Sequence, residues 1–477
     1  MVSKQDIGYQ VLYRELIEGR ISRREFISKT LAIGLGAAGV SVLSSCAPAA
    51  ATPTAAPAAT AAAAVEVSKL TPTFYQWIID LHPAIKNEIN PGFGIETLIA
   101  PVEGADTAAF IVSAKNKQSN YDIYLGMTPF AEMASLADSG TIEPWDPYIP
   151  KDVLDDLIPS IREECTYKGK LYSWPFLLDV IVGAQNSTLT KKAGLPDIVP
   201  ETWEEFLASS KTILDKGVAR YGCTFDAHGW RSLIPVTHSV STDCYYVMDG
   251  DKSGMQLFDF TSDPALQGLE IMKKMLEYSA ANALQPGVTD GGINQTPDEI
   301  AFAAETAAYY IKYQNAPLRF AQKWGDKSAL RMGPLPKPKG AKGSTVFWTT
   351  GCCLFTYGKN KEKAAEYMQK LTYSSQIWKD SIAGSASGHP GQMPPYKSIY
   401  AAWEKDKPDW VTKETWVPLV RGQLEVAKAI PNHSLGLQQN FIGQPIWEKY
   451  LKGEETDAKK VMQEAKDAVQ AEVKKLA

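Results

Sequence analysis

Residues 167–206 read YKGKLYSWPFLLDVIVGAQNSTLTKKAGLPDIVPETWEEF. The stretch contains a hairpin-like turn at 168–170, an aromatic strand that ends at Trp174-Pro175, and an apolar run at 176–184. A basic turn and a helix opened by Thr202 follow. An apolar run of this kind is typical of a buried strand rather than of a surface loop. We therefore expect a buried strand that passes from one α/β lobe into another.

The first 45 residues carry the pattern of an export signal. Residues 22–27 read SRREFI, which matches the twin-arginine export pattern. A small-residue apolar stretch at 30–43 follows, and residues 43–46 read LSSC, which is similar to a bacterial lipobox. The apolar stretch is too short to span a bilayer. We predict a twin-arginine and lipoprotein signal peptide at 1–45 and a lipid anchor on Cys46, which would hold the chain at the outer face of the cell membrane.

A segment rich in Ala, Pro and Thr follows at 46–65. Between positions 47 and 64 it contains no charged residue and no large apolar residue, so it cannot build a core. Its composition predicts a tether, and the folded body is expected to begin near Val65.

Of the six cysteines, five follow Cys46. An odd number in an exported protein leaves at least one thiol free. Cys223 with Cys244 is a candidate disulfide. Cys352 and Cys353 lie side by side in an apolar strand and are expected to be buried small hydrophobes.

Length and composition favour a globular protein with two or three units, since the chain has 477 residues of which 44% are hydrophobic. The net charge is −5, and the basic leader makes the remaining body more acidic still. An acidic body binds polyanions poorly, so we expect no nucleic-acid partner.

Strand and helix patterns alternate along the body. Strands are expected at 70–79, 95–100 and 121–126, and helices at 107–117 and 130–138. This alternation predicts an α/β fold with a parallel or mixed sheet flanked by helices.

Enzyme motifs are missing from the sequence. It contains no G-x-S-x-G, no H-E-x-x-H, no clustered Cys and His, and no phosphate-binding loop. We therefore predict no metal and no cofactor. An acid/base pair among the 54 carboxylates remains open, so an exported carbohydrate-active enzyme stays an alternative.

Aromatic residues are more informative, because the chain has 12 Trp and 21 Tyr. Sugar rings pack their C–H faces on such rings, while their hydroxyls need fixed polar partners. Loops that follow the carboxyl ends of strands face the crevice of an α/β lobe. This criterion selects, after the first and third predicted strands, the candidates Trp77, Asp80, His82, Met127 and Thr128.

The stretch at 167–206 resembles the family 1 extracellular solute-binding proteins of ABC importers, in which an aromatic "dGKLYavPf" strand leads into "NkdlfkkaGl…P.TWeEf". Residues 141–150 (TIEPWDPYIP) are similar to the "l.pLDdyi" segment of that family, and residues 361–371 to its "k..eAA.eFl.yL" helix. Glu305-Thr306 stands where the family has Gly-Lys. The resemblance runs from about residue 70 to 476.

The resemblance implies a two-lobe type II periplasmic-binding-protein fold. Its N-lobe would comprise residues 66–180 with 333–378, and its C-lobe 181–332 with 379–477. It also implies a monomeric receptor that captures a carbohydrate between the lobes and delivers it to an ABC permease. Further ligand-binding residues implied by the family positions are Asp179, Tyr309, Tyr313, Trp348, Gly351 and His433. Trp230 is a further candidate, because it sits in a loop that contains glycine, HGWRS at 228–232.

Other ligands remain open on the same fold. The tyrosine pairs at 245–246 and 309–310 are similar to those that hold ferric iron in some members of the wider fold. Several carboxylates and tryptophans would also suit a polyamine or a peptide.

Overall fold

The computed structural model describes residues 69–95, 98–99, 106–226, 228–251, 253–280, 282–285, 288–290, 293–384 and 391–475. These residues belong to one compact unit of the chain, Ser68–Ala477. The predicted signal peptide, the tether and Cys46 lie outside the described residues. Within the described ranges, no helix is both long and apolar enough to cross a bilayer.

Most strands of the described residues join one sheet of ten strands. The strands are β1 Pro72–Phe74, β2 Leu98–Ile99, β3 Ile123–Met127, β4 Ile142–Glu143, β5 Thr166–Tyr167, β6 Lys170–Leu171, β7 Trp174–Asn186, β8 Tyr221–Phe225, β9 Tyr245–Val247, β10 Gln256–Phe258, β11 Val288–Asp290, β12 Ile293–Gln295, β13 Ala307–Tyr313, β14 Leu330–Gly333, β15 Val346–Phe355 and β16 Lys428–Ala429. The order across the sheet is β2-β1-β3-β15-β7-β13-β8, with β14 paired with β7, and β4 and β16 paired with β15. Parallel and antiparallel pairs both occur, so the predicted mixed sheet is present.

Helices connect most of these strands. They are α1 Gln76–Leu81, α2 Asn90–Phe93, α3 Asp106–Lys115, α4 Ala134–Asp138, α5 Lys151–Asp156, α6 Pro159–Glu164, α7 Ser187–Lys192, α8 Trp203–Asp215, α9 Leu233–Val240, α10 Asp263–Glu277, α11 Pro297–Ala303, α12 Asn315–Ala321, α13 Lys361–Thr372, α14 Ser375–Ala383, α15 Lys397–Asp406, α16 Asp409–Thr412, α17 Trp416–Leu424, α18 Gln438–Leu451 and α19 Ala458–Val473. Short π-helical turns precede α2 and α4, at Ile85–Ile89 and Pro129–Met133. Single 3₁₀ turns occur at Gly229–Arg231 and Lys327–Ala329.

Strand β7 is shared between two halves of the large sheet. From Trp174 to Val180 it pairs antiparallel with β15, and from Ile181 to Asn186 it pairs antiparallel with β13 and β14. All 13 of its residues are buried. One half of the sheet therefore continues into the other through β7, as the apolar run at 176–184 predicts.

The local predictions on either side of β7 are confirmed. Lys168 and Gly169 have φ values of 49° and 76° and join β5 to β6, which is the backbone of a type I′ hairpin turn. The Thr202 side chain accepts a hydrogen bond from the Glu205 backbone N–H at 3.2 Å, which caps α8.

The first predicted strand is shorter than expected. We expected it at 70–79, but β1 ends at Phe74 and the chain turns into α1 at Gln76. Ile78, Ile79 and Leu81 are buried on one side of this short helix. The expected strand included Ile78 and Ile79, because a short apolar run suits a strand and a buried helix equally well.

The buried side chains form two hydrophobic cores. The first consists mostly of residues 70–182 and 347–427, and the second mostly of residues 181–335 and 430–473. We call each core, with the sheet half that it covers, the first lobe and the second lobe.

Residues 379–384 and 391–427 differ from the sequence division, which placed 379–477 in the C-lobe. Tyr400, Trp416 and Val420 of α15 and α17 pack in the first core instead. The reason lies in the segment before α15. The Leu178 backbone N–H donates to Met393 O at 3.1 Å, which fixes this segment to the amino-terminal half of β7.

The candidate disulfide does not form. Cys223 and Cys244 are free and buried, as are the other three described cysteines. The Cys223 thiol lies 3.5 Å from the Met275 carbonyl oxygen and from the Ser279 hydroxyl. Cys352 and Cys353 are buried small hydrophobes, as expected.

Gly222 should be sensitive to a single added methyl group. A Cβ at this position would lie 2.2 Å from the Ser210 carbonyl oxygen, where α8 crosses β8. We expect Gly222→Ala to lower the free energy of unfolding by about 1–3 kcal/mol, as overpacked cores do. Gly422→Ala is the matched control. A Cβ on Gly422, which lies in α17, would meet no other atom within 4 Å. Alanine there should therefore raise the free energy of unfolding by up to about 1 kcal/mol. Urea unfolding midpoints measure both, and equal midpoints would contradict the packing at Gly222.

Candidate functional site at the junction of the lobes

The carboxyl ends of several strands meet near the middle of β7. β3 and β7 both run antiparallel to β15, so they point the same way, toward the second lobe. β13 runs antiparallel to β7 and parallel to β8, so β8 and β13 point back toward the first lobe. The residues that follow β3, β8 and β13 therefore face one another across the junction, where α/β proteins bind ligands.

An aromatic cluster lies at this junction. The Trp230 and Trp348 ring centroids are 5.1 Å apart, Tyr313 lies 5.7 Å from Trp348, and Phe130 lies 5.3 Å from Trp230. Trp230 follows β8, Tyr313 ends β13, Trp348 lies in β15 and Phe130 follows β3. The structure thus brings together three of the rings selected from the sequence and adds Phe130, whose position three residues after β3 could have identified it.

Arg231 covers this cluster from the second lobe. Its guanidinium lies 4.1 Å from the Trp230 ring centroid and 5.1 Å from that of Tyr313, within cation–π range. One of its nitrogens donates to Asp226 Oδ2 at 3.4 Å. Arg231 was missed in the sequence, although it directly follows the candidate Trp230.

Asp179 provides a carboxylate beside the cluster. It lies in β7 directly opposite Trp348 of β15. It accepts hydrogen bonds from Asn315 Nδ2 at 2.8 Å, Gln314 Nε2 at 3.2 Å and Gln392 Nε2 at 3.3 Å. Burial raises the pKa of Asp179 to about 6, because these neutral donors and the more distant arginines offset only part of the lost hydration.

Gln314 holds the crossing strands together at the same point. Its Oε1 accepts from the Val180 N–H at 2.5 Å, and its Nε2 donates to Leu178 O at 2.9 Å and to Gly391 O at 2.7 Å. A residue at the end of β13 thereby fixes both β7 and the segment that enters α15. This arrangement gives the site a rigid base on three crossing segments.

Glu164 is a second buried carboxyl group, and it hydrogen-bonds to Thr349 of β15. Its carboxylate accepts from the Thr349 N–H at 3.0 Å and from the Thr349 hydroxyl at 2.8 Å. Burial raises the pKa of Glu164 to about 8, so the carboxyl is largely neutral near pH 7.

A buried charge network supports the site from the second lobe. Lys312 Nζ contacts Asp226, lies 2.7 Å from Asp298 Oδ2, and lies 3.7 Å from Glu299 Oε1. Burial alone would lower the pKa of Lys312, but these carboxylates raise it above its ordinary range. Lys312 thus holds Asp226 in place, and Asp226 in turn orients Arg231 and His228.

The two lobes touch beside the aromatic cluster. Phe130 follows a strand of the first lobe but packs in the second core. The Leu437 N–H donates to Ala131 O at 3.4 Å, and the Ser434 hydroxyl donates to Asp138 Oδ2 at 2.9 Å. The lobes are therefore in contact in this structure, which explains why Trp230 and Trp348 are only 8% and 5% exposed.

The candidates around α1 make their contacts within the first lobe. Trp77 is half-buried against the first core, and Asp80 is exposed and accepts from Gln76 Nε2 at 2.7 Å. His82 is fully buried, with its ring nitrogens 3.0 Å from Ile78 O and 2.5 Å from the Ser381 hydroxyl. Burial lowers the pKa of His82 to about 4. The hydrogen bonds and burial of His82 suit a core residue.

The remaining candidates have mixed positions. Met127 is fully buried in the first core, whereas Thr128 is half-buried at the loop after β3. Tyr309 packs on Phe206 in the second core, with ring centroids 5.4 Å apart. Gly351 lies against Ser173, where a Cβ would be 2.1 Å from the hydroxyl oxygen. His433 is buried beside the contact between the lobes, with Nε2 4.0 Å from Asp251 Oδ2.

The tyrosine pairs do not converge on a shared point. The Tyr310 hydroxyl donates to Asp298 at 2.7 Å, on the opposite side of β13 from Tyr309. Tyr245 pairs with His238 at 2.8 Å, and Tyr246 accepts from Gln470 Nε2 at 3.0 Å. Within the described residues, no group of three or more His, Cys, Asp or Glu could hold a metal ion.

The family model for bacterial extracellular solute-binding proteins matches residues 87–373, which is more than half of the chain. The chain belongs to this family. The resemblance seen at 167–206 is thereby confirmed.

Two relatives of this solute-binding protein carry sugar or polyol names. A mannitol-binding protein of Pseudomonas aeruginosa is 23% identical over 311 residues, which cover 63% of this chain and 66% of the relative. A maltotriose-binding protein of Pyrococcus abyssi is 26% identical over 98 residues, or 20% of each protein. The chain thus aligns with just under two thirds of the first relative and a fifth of the second.

Solved structures identify the fold. The GacH receptor of Streptomyces glaucescens and maltose-bound MalE3 of T. maritima both match with a TM-score of 0.65, at 16% and 15% identity. A tagatose-bound solute-binding protein from Thermotoga lettingae matches with a TM-score of 0.66 at 18% identity. Each match covers 84% of this chain and 98–99% of the other. The predicted type II periplasmic-binding-protein fold is confirmed.

Asp179 and Glu164 should make stability depend on pH in two windows. Their folded-state pKa values rise from ordinary values of 3.8 and 4.5 to about 6 and about 8. The folded state therefore binds each proton more tightly than the unfolded state, and stability falls as pH rises through each window. We expect Asp179→Asn to remove the fall between about pH 4 and 6, and Glu164→Gln the fall between about pH 4.5 and 8. Urea unfolding at a series of pH values measures both effects. If the free energy of unfolding of each variant depended on pH as that of the wild type does, the raised pKa values would be ruled out.

Gly436 should matter for the contact between the lobes. Its φ is 51°, and a Cβ there would lie 1.9 Å from Ala131 O of the first lobe. We expect Gly436→Ala to weaken ligand binding by about tenfold or more, because the added methyl group would keep the lobes from closing to the contact between residue 436 and Ala131. Gly453→Ala is the matched control, since Gly453 has φ 75° and nothing within 4 Å. It should lose stability by about 1–2 kcal/mol and keep its affinity. Equal affinities in titration calorimetry would disprove the role of Gly436.

Proposed function

We propose that this solute-binding protein is the receptor of an ABC importer for a carbohydrate, either a monosaccharide or an oligosaccharide. The observation that carries the proposal is the cluster of Trp230, Tyr313 and Trp348 at the junction of the lobes, next to Asp179 and Arg231. Ring faces pack on the C–H faces of a sugar, and a carboxylate with a guanidinium hydrogen-bonds its hydroxyls.

The relatives support the same class of ligand. Mannitol, maltotriose, maltose, tagatose and acarbose are the molecules that their names and titles contain. The chemical feature that these five molecules share is a set of several hydroxyl groups. A site that combines ring faces with hydrogen-bonding groups suits such molecules better than it suits ferric iron.

Binding would require the lobes to separate and close again. Trp230 and Trp348 are almost fully buried while the lobes are in contact, so a ligand can reach them only in an open form. The segments that cross between the lobes would bend on either side of the point that Gln314 fixes, and closure would exclude water from the polar contacts. The closed form would then dock on the permease subunits.

The rest of the proposal concerns location and chemistry. We propose a monomer anchored to the outer face of the cell membrane through a lipid on Cys46, which follows from the leader pattern. We also propose that the chain catalyses no reaction, since the named relatives are binding proteins and ATP hydrolysis would belong to the transporter.

Ligand-dependent thermal unfolding tests this function. We expect one class of sugar or polyol to raise the midpoint by a few degrees, since a ligand at a hundred times its dissociation constant adds about 2.7 kcal/mol. Trp348→Ala should lower the affinity for that ligand at least about 30-fold, because a central ring at an interface contributes 2 kcal/mol or more. Trp410→Ala, at a half-buried tryptophan of the first lobe packed on Trp403, is the matched control and should bind normally.

The other ligand classes are separate arms of the same experiment. A rise with ferric ion, a polyamine or a short peptide, and none with any sugar or polyol, would replace the carbohydrate while leaving the receptor in place. Consumption of the sugar during incubation would instead indicate an exported enzyme. Retained affinity in Trp348→Ala would move the site away from the aromatic cluster.

A further inference from the structure

Apart from the site at the junction, the first lobe contains a cavity with a volume of about 160 Å³. Its walls come from β1, α3, the loop before β3, and the end of β15. The lining residues are Thr73, Ala109, Phe110, Ser113, Ala114, Gln118, Ser119, Asn120, Tyr121, Thr141, Phe355 and Tyr357.

This cavity is distant from the junction of the lobes. Phe355 ends β15 and pairs with Ile142, whereas Trp348 pairs with Asp179 near the other end of the same strand. Phe355 follows Trp348 by seven positions in β15, so the Cα atoms of the two residues are roughly 23 Å apart along the strand. Tyr121 likewise precedes β3, while the junction lies beyond its carboxyl end at Met127. The cavity is therefore not part of the site described above.

Aromatic rings form one wall of the cavity. The Phe110 ring lies 4.9 Å from Phe355 and 6.2 Å from Tyr121, and Tyr121 lies 6.3 Å from Phe355. Tyr357 is 36% exposed at the rim. Tyr121 is half-buried and Tyr357 is exposed, so these two rings offer surface to the C–H groups of a ligand.

Polar groups without charge complete the lining. The Thr73 hydroxyl is fully buried at the base of the cavity and has no hydrogen-bond partner among the described residues. Gln118 and Asn120 place exposed amides at the rim. These amides can donate hydrogen bonds to the hydroxyls of a ligand and accept hydrogen bonds from them.

The lining also restricts the charge and the size of a ligand. None of the lining residues is Asp, Glu, Lys, Arg or His, so the cavity offers no counter-charge to an ion. Its volume lies below the roughly 300–1,000 Å³ of sites for drug-sized ligands. A neutral molecule with one ring or a short polyol chain fits both limits.

We propose that this cavity is a second binding site, for a small neutral polyol or a single monosaccharide ring, held between the aromatic wall and the amides of Gln118 and Asn120. The proposal does not depend on the ligand of the interlobe site. It would give the receptor a weak second contact for hydroxylated molecules on the far end of the first lobe.

Saturation-transfer NMR with glucose and with sorbitol tests the cavity. The background is full-length protein carrying Trp348→Ala, which weakens the interlobe site. We expect signal transfer to at least one probe to persist in this background. It should fall about tenfold when Asn120→Ala and Tyr357→Ala are added, since an amide hydrogen bond and a ring contact are lost together. Tyr373→Ala, at a tyrosine 40% exposed outside the cavity, is the matched control and should leave the signal unchanged.

A second measurement keeps the test valid if Trp348→Ala fails to fold. Equilibrium dialysis of otherwise wild-type protein counts the bound molecules at a probe concentration near the dissociation constant of the cavity. The count should fall when Asn120→Ala and Tyr357→Ala are introduced, since a site weakened about tenfold is then about one tenth rather than half occupied. Both side chains are exposed, so the fold should tolerate their loss. An unchanged count, or loss of all transfer in the folded Trp348→Ala protein, would overturn the second site.

Discussion

The divided pairing of β7 is the constraint on which the rest of the molecule depends. Its first half hydrogen-bonds to β15 in the first lobe and its second half to β13 and β14 in the second. Since one strand belongs to both sheet halves, its register fixes where each neighbouring strand ends. The carboxyl ends of β3, β8 and β13 consequently face the same point, and the side chains beyond them become one site.

Burying polar groups at this crossing has a cost that the surrounding contacts offset. Gln314 satisfies backbone groups on β7 and on the segment at Gly391, and the carboxylate of Asp179 keeps three neutral donors. These donors do not fully replace the water that the carboxylate loses on burial, so the pKa of Asp179 rises. A polar base of this kind holds the crossing in one geometry while leaving a carboxylate beside the aromatic rings.

The same geometry connects structure to the proposed transport function. Trp230 follows β8 of the second lobe and Trp348 lies on β15, which pairs with the first half of β7, and both rings pack together in the second core. Arg231 lies over them because Asp226, held by Lys312, fixes its guanidinium. A ligand inserted between these groups would connect both lobes, which is how binding would favour the closed form that a permease recognises.

The sequence by itself determined the features that depend on neighbouring residues: the turn at Lys168-Gly169, the buried run of β7, the cap at Thr202 and the family pattern. These follow from local backbone sterics and from short-range hydrogen bonds. Only the tertiary structure decided that Trp230 meets Trp348, that His82 is buried, and that residues 391–427 join the first core. Such contacts depend on the register of strands far apart in the chain, which no local pattern encodes.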